Sequence, residues 1–506
     1  MKRTIIKAGA AISLVLAISL SEATATRADQ PINTAALRSA VTATGIMEHL
    51  NALQTIANTN GGTRYDDTPG FEASVTYVKQ KLEAAGYTVT VQPFSYDIGI
   101  VDSAVIDQTA PGTDTYEYGT DFLEMQYTPD GSADADVTAV DVNLAGDRAS
   151  TSGCEAADFD GFPAGNIALI QRGTCPFRQK AQNADAAGAS AAIIFNQGND
   201  DPSDDRLGLF SGTLDPDPAI EIPIFSMGFE LGSTLATTAG LHLDINLETH
   251  TETIDSKNVI ADSPTGRADR TVLAGAHLDS VPAGPGINDN GSGTATLLEI
   301  AEQLSGTKLT NRVRFAFWGG EEDGLIGSDY YVSQLSAGEI KKHAVNLNFD
   351  MVGSPNYVRF VYDGDGSAFG VKGPNGSALI ETVFNDFFKS QNMATAPTEF
   401  DGRSDYFGFI NAGIPAGGLF TGAEGIKTPE EAAIFGGTAG APYDPCYHAA
   451  CDTSANISTK ALEEMSDAAA HAVLTFGMTS AAVNGTAKGK AVANGQLEFK
   501  GNFALR

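Results

Sequence analysis

The stretch AGAHLDSVPAGPGINDNGSG, residues 274–293, decides how the rest of the chain is interpreted. It continues a short apolar strand and brings His277, Asp279 and Asp289 into a loop rich in glycine and proline. A helical pattern follows over Thr294–Leu304. In open α/β sheets, binding and catalytic groups lie at the carboxyl ends of the strands. We therefore predict that this loop is part of a functional site in an α/β domain.

The second half of the chain alternates between strand and helix patterns. Strands are predicted over 272–275, 313–318, 344–349, 358–362 and 415–419. Helices are predicted over 294–304, 328–335, 377–391 and 459–476, with Ser328 as the N-cap of the second. This alternation predicts a mostly parallel central sheet that is covered by helices on both faces.

The first half begins with the same kind of pattern and then changes. A helix is predicted over 35–58, a second helix opens at Thr68-Pro69, and a strand begins at Tyr87. From residue 107 to residue 255, short β-prone runs are separated by glycine, aspartate and proline. Strands are predicted there over 137–142, 167–170, 191–195 and 222–225, with one helix over 178–187. A block of different composition inside one α/β pattern predicts an inserted domain.

The amino terminus predicts export. Lys2 and Arg3 precede an apolar run over 8–20, and Ala23-Thr24-Ala25 is a plausible cleavage site. The apolar run is too short to span a bilayer, and no later run is long enough. We therefore predict a signal peptide over 1–25 and a protein that is secreted or periplasmic, with no membrane partner.

The composition indicates a globular, multidomain protein. The 506 residues exceed one ordinary core, 42% are hydrophobic and only 19% are charged. The formal net charge of −32 excludes nucleic acid as a partner, because phosphate binding needs a basic surface. We expect a monomer whose acidity mainly serves solubility. The Ala/Gly/Asn-rich residues 480–506 are interpreted as a tail that is processed or loosely packed.

The four cysteines form two local pairs, Cys154 with Cys175 and Cys446 with Cys451. An even number in an exported protein favours two disulfides. A cysteine-rich metal site is the alternative, but the chain contains no CxxC spacing.

Carboxylates and imidazoles follow several of the predicted strands. They are His277, Asp279 and Asp289 after the first strand, Glu321 and Glu322 after the second, Asp350 after the third, and His448 in a late loop. Each group alone has an ordinary structural explanation, such as a turn, a helix cap or a solvated pair. Clustered acidic groups are unfavourable without a cation, so the whole set predicts zinc or a similar divalent ion.

The adjacent glutamates Glu321 and Glu322 point in different directions, so they predict two different roles. One can bind metal while the other takes a proton from a metal-bound water, whose pKa the metal lowers from about 15.7 towards about 7. Asp279 is placed to accept a hydrogen bond from the second ring nitrogen of His277. This chemistry is that of metal-assisted amide hydrolysis.

The motifs in this half resemble those of the co-catalytic zinc aminopeptidases of peptidase family M28, of the Streptomyces and Aeromonas type. They are HLDS (277–280), INDNGSG (287–293), GGEEDGLIGS (319–328), NFDMVGSPN (348–356), FDGRSDYFGF (400–409) and CYHAACD (446–452). The segments GCEAADFDGFPAGNIALIQRGTCPF (153–177) and GASAAIIFNQ (188–197) resemble a protease-associated (PA) domain. The resemblance implies a zinc-exopeptidase fold, phosphorylase/hydrolase-like, with a peptidase domain over 31–106 and 256–479. It also implies an inserted, mainly-β PA domain over 107–255.

The resemblance also implies a role for each matching residue. His277 and Asp350 bind one zinc ion, Glu322 and His448 bind the other, and Asp289 bridges them. Glu321 is the general base, Tyr447 stabilises the oxyanion, Asp279 orients His277, Arg403 orients the peptide, and Phe420 forms a wall of the side-chain pocket. Cys446 and Cys451 match a disulfide that braces the loop of Tyr447 and His448.

The function implied is hydrolysis of the N-terminal residue, leucine or another large hydrophobic residue, from peptides with a free N-terminus. Two zinc ions are implied, with manganese or cobalt as alternatives. A carboxypeptidase of the same fold would need a basic pocket, for which Arg403 is nearly the only candidate. A non-catalytic binding protein would be expected to lack ligands that are all present here. The PA domain is interpreted either as a lid or as a binding surface for larger substrates.

Overall fold

The computed structural model describes residues 32–199, 206–214 and 219–479. The predicted signal peptide and the predicted tail from residue 480 lie outside these residues. Among the helices that are described, none has the length and apolar character that crossing a membrane requires.

Helices and strands alternate through most of the described residues. The α-helices are α1 (Ala35–Ala40), α2 (Ala43–Thr59), α3 (Pro69–Ala84), α4 (Phe177–Ala186), α5 (Phe229–Thr237), α6 (Gly291–Leu304), α7 (Ile326–Ser333), α8 (Ala337–Ile340), α9 (Ser377–Ser390), α10 (Phe407–Asn411), α11 (Pro429–Phe435) and α12 (Thr459–Met478). The strands are β1 (Thr88–Ala110), β2 (Asp114–Tyr116), β3 (Phe122–Glu124), β4 (Gly131–Val140), β5 (Ile167–Gln171), β6 (Ala191–Phe195), β7 (Ile224–Met227), β8 (His242–Asp262), β9 (Arg267–His277), β10 (Asn311–Trp318), β11 (His343–Phe349), β12 (Phe360–Tyr362), β13 (Ala396–Thr398) and β14 (Ala416–Phe420).

Strand β9, which ends at His277, lies at the centre of the sheet. It pairs in parallel with β10 on one side and β11 on the other, so Ala274 lies opposite both Phe315 and Leu347. Strand β14 continues the parallel arrangement beyond β11. The carboxyl ends of these four strands therefore meet at one edge of the sheet, as the sequence predicts.

The flanks of this parallel centre are antiparallel. Strand β8 pairs with β10 in the antiparallel sense, and β12 does the same with β14. The prediction of a mostly parallel α/β sheet is thus confirmed for the strands that carry the site.

Two long strands, β1 and β8, lead into the predicted insert. They pair antiparallel from Thr88 opposite Asp262 to Ala110 opposite His242, and they run unbroken through the predicted limits at residues 106 and 256. Beyond β8, strand β4 begins a run in which β4, β5, β6 and β7 are mutually parallel. Helix α5 in this region has no counterpart among the predicted elements.

Two predicted helix starts differ from the structure. Helix α6 begins at Gly291, three residues before the predicted start at Thr294, because the Asn290 side chain caps it by accepting a hydrogen bond from the Gly293 amide. Helix α7 begins at Ile326, after Leu325 in a left-handed conformation (φ 62°), so the prediction of Ser328 as an N-cap is wrong. The predicted start of α3 is confirmed, because Thr68 accepts from the Phe71 amide.

The main core lies where α2, α6 and α12 cover the sheet. Leu50, Leu297 and Val473 from these helices pack with Val272 of β9, and all four are fully buried. Burying such a side chain contributes about 1.5–3 kcal/mol, so this packing holds β9 and the loop after it in place.

His343 and His471, two histidines outside the predicted site, make structural contacts. The ring nitrogens of His343 lie 2.9 Å from the Glu339 carbonyl and 2.8 Å from the Tyr331 hydroxyl. His471 Nδ1 lies 2.8 Å from Thr34 Oγ1, and its ring stacks on Phe387.

His471 predicts an acid-sensitive step in stability. Burial, assisted by the charge of Arg38, lowers the pKa of His471 to about 4. A depressed histidine pKa means that the unfolded chain binds the proton more tightly, so stability is lost as pH falls from about 6.5 towards 4. Between pH 7 and pH 5 the wild type should lose on the order of 1 kcal/mol more than His471→Gln, after allowing for solvent screening. If thermal unfolding shows that the wild type and His471→Gln lose the same unfolding free energy between pH 7 and pH 5, this expectation is contradicted.

Candidate metal and active site

The predicted site residues come from separate elements and meet at the carboxyl edge of the sheet. His277 is the last residue of β9, and Asp350 directly follows β11. Glu321 and Glu322 follow β10, while Asp289 lies just before α6. The sixth group, His448, lies in the loop before α12.

Asp289 lies between the two histidines and offers one oxygen to each. Its Oδ1 is 3.2 Å from His277 Nε2, and its Oδ2 is 3.2 Å from His448 Nε2. Asp350 Oδ1 lies 3.4 Å from His277 Nε2, and Glu322 Oε2 lies 3.1 Å from His448 Nε2. The five side chains thus form two half-sites that share one carboxylate.

The donor atoms of this cluster fit a divalent cation. Both ring nitrogens of His277, Oε1 of Glu322 and Oδ1 of Asp350 are buried and have no hydrogen-bond partner. Leaving such atoms unpaired costs about 1–3 kcal/mol each, and more for charged groups. Imidazole nitrogens mixed with carboxylate oxygens are the ligand set that suits zinc.

The electrostatics of the cluster also favour added positive charge. Burial alone lowers the pKa of His277, but the carboxylates of Glu321 and Asp350 raise it well above its ordinary value. Burial also lowers the pKa of His448, but Glu322 and Asp289 together outweigh it and raise that pKa to about 10. Burial together with Asp289 raises the pKa of Glu322 itself to about 7. The cluster attracts protons strongly, and a metal ion would neutralise the same charge.

Glu321 and Glu322 face different partners, as the sequence predicts. Both line the pocket, but Glu322 is buried with Oε2 3.1 Å from His448 Nε2, whereas Glu321 is half-buried with Oε2 3.8 Å from His277 Nε2. Burial raises the pKa of Glu321 well above its ordinary value. One glutamate can therefore bind an ion while the other remains available for proton transfer.

Asp279 connects the first strand end to the second. Its Oδ1 lies 3.5 Å from His277 Nδ1, longer than an ordinary hydrogen bond, and its Oδ2 accepts from the Glu322 amide at 3.1 Å. Asp279 is fully buried, so it can orient both His277 and the glutamate loop.

Tyr447 and Arg403 also line the pocket and are hydrogen bonded to each other. Arg403 Nη2 donates to the Tyr447 hydroxyl at 3.3 Å, and Nη1 donates to Glu424 Oε1 at 2.7 Å. Burial alone lowers the pKa of Arg403, but Glu424, Tyr447 and Asp401 together raise that pKa well above its ordinary value, so the guanidinium stays charged. Sequence reasoning missed Glu424, because no motif marks this glutamate in its loop.

The pocket beside the cluster has apolar and acidic walls. Phe420 lines it as predicted, and the other apolar lining residues are Leu325, Met351, Tyr362 and Ala423. Glu399 and Asp401 contribute carboxylates at its edge. The pocket therefore presents both apolar and acidic side chains to a ligand.

Two further residues that sequence reasoning missed hold the predicted ligands. Ser404 donates a 2.5 Å hydrogen bond to Asp350 Oδ2. The buried Asp452 side chain accepts from the amides of Asn288 and Asp289 at 2.8 and 2.9 Å. Asp452 ends the CYHAACD motif, so its proximity to His448 was a signal that could have found it.

Both predicted disulfides are present. Cys154 is bonded to Cys175, and Cys446 is bonded to Cys451 around the loop that carries Tyr447 and His448.

Two other groups of acidic and histidine side chains in the described residues are already satisfied. In the group of His49, Glu299 and Glu302, Lys81 Nζ lies 3.1 Å from Glu302 Oε1, and Gln303 Nε2 donates to Glu299 Oε1 at 3.2 Å. The group of Asp363, Asp365 and Glu381 accepts backbone amides of its own loop.

Comparison with known proteins identifies the family. The model of peptidase family M28 matches residues 258–473, and the model of the PA domain matches residues 137–235. An aminopeptidase of Pseudomonas aeruginosa is 49% identical over 429 residues, which cover 85% of this chain and 80% of that protein. A probable lipoprotein aminopeptidase of Mycobacterium tuberculosis is 42% identical, covering 89% and 88% of the two chains. A probable leucine aminopeptidase 2 of Aspergillus oryzae is 40% identical, covering 82% and 79%.

Solved structures agree with these relatives. An aminopeptidase from Aneurinibacillus sp. strain AM-1 has a TM-score of 0.68 and 26% identity, covering 90% of this chain and 98% of that chain. A zinc aminopeptidase from Bacillus subtilis has a TM-score of 0.61 and 25% identity, covering 88% and 97%. The chain therefore belongs to peptidase family M28 and carries a PA domain.

Proposed function

We propose that this M28 aminopeptidase uses two zinc ions to remove an N-terminal leucine, or another large hydrophobic residue, from peptides. The observation that carries the proposal is the position of Asp289, which offers one oxygen at 3.2 Å to each of two histidines. A carboxylate shared in this way is the usual bridge of a two-metal site.

The ligands divide between the two half-sites. His277 and Asp350 would hold one ion, Glu322 and His448 would hold the other, and Asp289 would bind both. Manganese or cobalt could replace zinc, since the ligands do not discriminate strongly. When bound, the ions would polarise the scissile carbonyl and lower the pKa of the attacking water.

Glu321 would act as the general base. It lines the pocket at the edge of the ligand cluster and makes no short contact with His448. Its carboxylate would take a proton from the attacking water and pass it to the leaving amine. Such proton transfer contributes typically 10²–10⁴-fold, as an order of magnitude, to the rate.

Tyr447 would donate a hydrogen bond from its hydroxyl to the oxyanion of the tetrahedral intermediate. Burial raises the pKa of Tyr447 well above its ordinary value, so the hydroxyl keeps its proton and can donate. Arg403, held by Glu424, fixes the position of that hydroxyl and can orient the peptide.

The pocket supports the proposed preference at the N-terminal residue. A leucine side chain would lie against Phe420, Tyr362 and Met351. The free α-amino group would then lie near the carboxylates of Glu321 and Asp350, which favour a positive charge. We also propose that the enzyme acts outside the cytoplasm, because it has two disulfides and a relative named as a lipoprotein.

A blocked substrate tests this proposal. N-acetyl-Leu-p-nitroanilide should be hydrolysed at least about a hundredfold more slowly than Leu-p-nitroanilide, because acceptors placed for the amine are left unpaired. The measurement is kcat/KM for both substrates, with a panel of other aminoacyl-p-nitroanilides to rank side chains. Comparable rates for the two leucine substrates would contradict an aminopeptidase mechanism, and a preference for charged or small residues would contradict the pocket assignment.

A further inference from the structure

Arg64 is a fully buried arginine that contacts the loop between His277 and Asp289. It lies between α2 and α3, far from the loop in sequence. Its side chain has no exposed surface, yet nothing in the chemistry proposed above uses it.

The Arg64 guanidinium binds backbone carbonyls along that loop. Nε donates to the Pro285 carbonyl at 2.8 Å, Nη2 donates to the Gly286 carbonyl at 2.5 Å, and Nη1 donates to the Leu278 carbonyl. The Arg64 backbone amide donates to Ser280 Oγ at 2.9 Å. A single residue therefore contacts both ends of the segment 278–286.

This segment has no helix or strand to determine its shape. It belongs to the loop between the end of β9 and the start of α6, and the Gly291 amide donates to the Gly286 carbonyl at 3.0 Å. Gly286 has φ +58°, and a Cβ there would lie 2.3 Å from the Asp289 carbonyl and 3.1 Å from Arg64 Nη2. The loop is therefore packed directly around the guanidinium, and its shape sets where Asp289 lies relative to His277.

Asp452 holds the same loop by complementary contacts. Its carboxylate accepts from the amides of Asn288 and Asp289, and its carbonyl accepts from the Ile287 amide at 3.1 Å. Arg64 thus binds the carbonyls of the loop, while Asp452 binds its amides. These contacts constrain the backbone from both sides next to Asp289.

The charge of Arg64 is part of the same arrangement. Burial lowers the pKa of Arg64 to about 10, while nearby carboxylates, first Asp279 and then Asp452, oppose the shift. The guanidinium therefore stays charged at neutral pH. Only arginine offers several donors in one plane that can reach three carbonyls at once, so lysine is not an equivalent replacement.

We propose that Arg64 is a positioning residue that sets the spacing of His277 and Asp289 and thereby the affinity for the ion that both would hold. This inference rests on the proposed function of these two residues as ligands. Partners that orient metal ligands typically change metal affinity or activity about 10–100-fold when they are mutated.

The test compares Arg64→Lys with a matched control, Arg359→Lys. Arg359 is also a buried arginine, donating 2.7 Å hydrogen bonds to the Ala394 carbonyl and to Glu464, and neither partner is a proposed ligand. The zinc affinity of each full-length variant is measured by competition with a chelator. Activity on Leu-p-nitroanilide and thermal unfolding are measured in excess zinc.

Arg64→Lys should weaken zinc binding by about tenfold or more and lower kcat by a similar factor, with KM little changed. Arg359→Lys should change both by less than about twofold, since it contacts no ligand-bearing loop. A folded Arg64→Lys with unchanged zinc affinity and kcat overturns the proposal, even if its thermal stability is reduced. That pattern would mean a purely structural role.

If Arg64→Lys does not fold, Ser280→Ala removes the hydroxyl that accepts from the Arg64 backbone amide and so holds Arg64 against the loop, with little loss of volume. It should still weaken zinc binding measurably, by about two- to fivefold, as the loss of one neutral hydrogen bond. Unchanged affinity in Ser280→Ala then overturns the proposal. If the wild type and the variants all bind zinc with the same affinity, only this inference is refuted. If the wild type itself binds no divalent ion, the proposed function is refuted as well.

Discussion

Glu321→Gln is expected to lower kcat for Leu-p-nitroanilide by roughly 10²–10⁴-fold, the usual worth of a general base. The substitution keeps the shape of the side chain but removes its ability to take a proton. Zinc content should stay at the wild-type level, because the five proposed ligands are unchanged and Glu321 Oε2 lies 3.8 Å from His277 Nε2, farther than Asp289 or Asp350. Steady-state kinetics and elemental analysis of the same preparation check both parts.

Glu322→Gln serves as the control for the neighbouring position. Glu322 lies 3.1 Å from His448, so its substitution should reduce metal content as well as activity. The assignment of roles would be wrong if Glu321→Gln kept full activity, or if it lost metal to the same degree as Glu322→Gln.

Asp289→Asn is expected to impair both half-sites at once. Asp289 is the one side chain among the proposed ligands that lies 3.2 Å from each histidine. A neutral amide offers only one oxygen and no charge to hold two cations together. Bound zinc should fall below one ion per chain at the metal concentration that saturates the wild type, and kcat/KM should fall by at least about a thousandfold.

Asp350→Asn is the matched comparison. Of the two histidines, Asp350 contacts His277, whereas Asp289 contacts both. It should weaken one ion and leave the other bound. Equal metal loss in both variants would argue against a bridging role for Asp289, and so would normal zinc content in Asp289→Asn.

The parts of the site that the sequence predicted are those with a local signal. An apolar strand followed by His277, and others followed by Glu321 and Asp350, place polar groups at one edge of a parallel sheet whatever the details of packing. The Cys446-Tyr447-His448 loop was found through its motif and its cysteines. The backbone at Gly293 lies so close to β11 that a Cβ there would be 2.1 Å from the Phe349 carbonyl oxygen, and a glycine at the start of a helix is a local signal for such an approach.

The residues that were missed act through contacts that are distant in sequence. Arg64 lies more than two hundred residues before the loop that it binds, and no periodic pattern separates it from an ordinary surface arginine. Glu424 becomes important only because Arg403 reaches it. Sequence patterns describe one element at a time, so side chains that join two elements are found only in the folded structure.

The long antiparallel pair of β1 and β8 is a part of the fold that sequence patterns did not predict in full. Most of β1 carries no apolar run, because only Phe94, Ile98 and Ile106 of its 23 residues are buried. Apolar runs predicted the short, buried strands β5 and β6 well. The limits of the inserted domain, at 106 and 256, stay a prediction.

The most direct test of the two-metal site is diffraction at the zinc absorption edge from crystals grown with zinc. Two anomalous peaks are predicted. One should lie within about 2.0–2.2 Å of His277 Nε2 and Asp350, the other at the same distance from His448 Nε2 and Glu322, with Asp289 contacting both. A single peak, no peak, or peaks at another group such as His49, Glu299 and Glu302 would contradict the account.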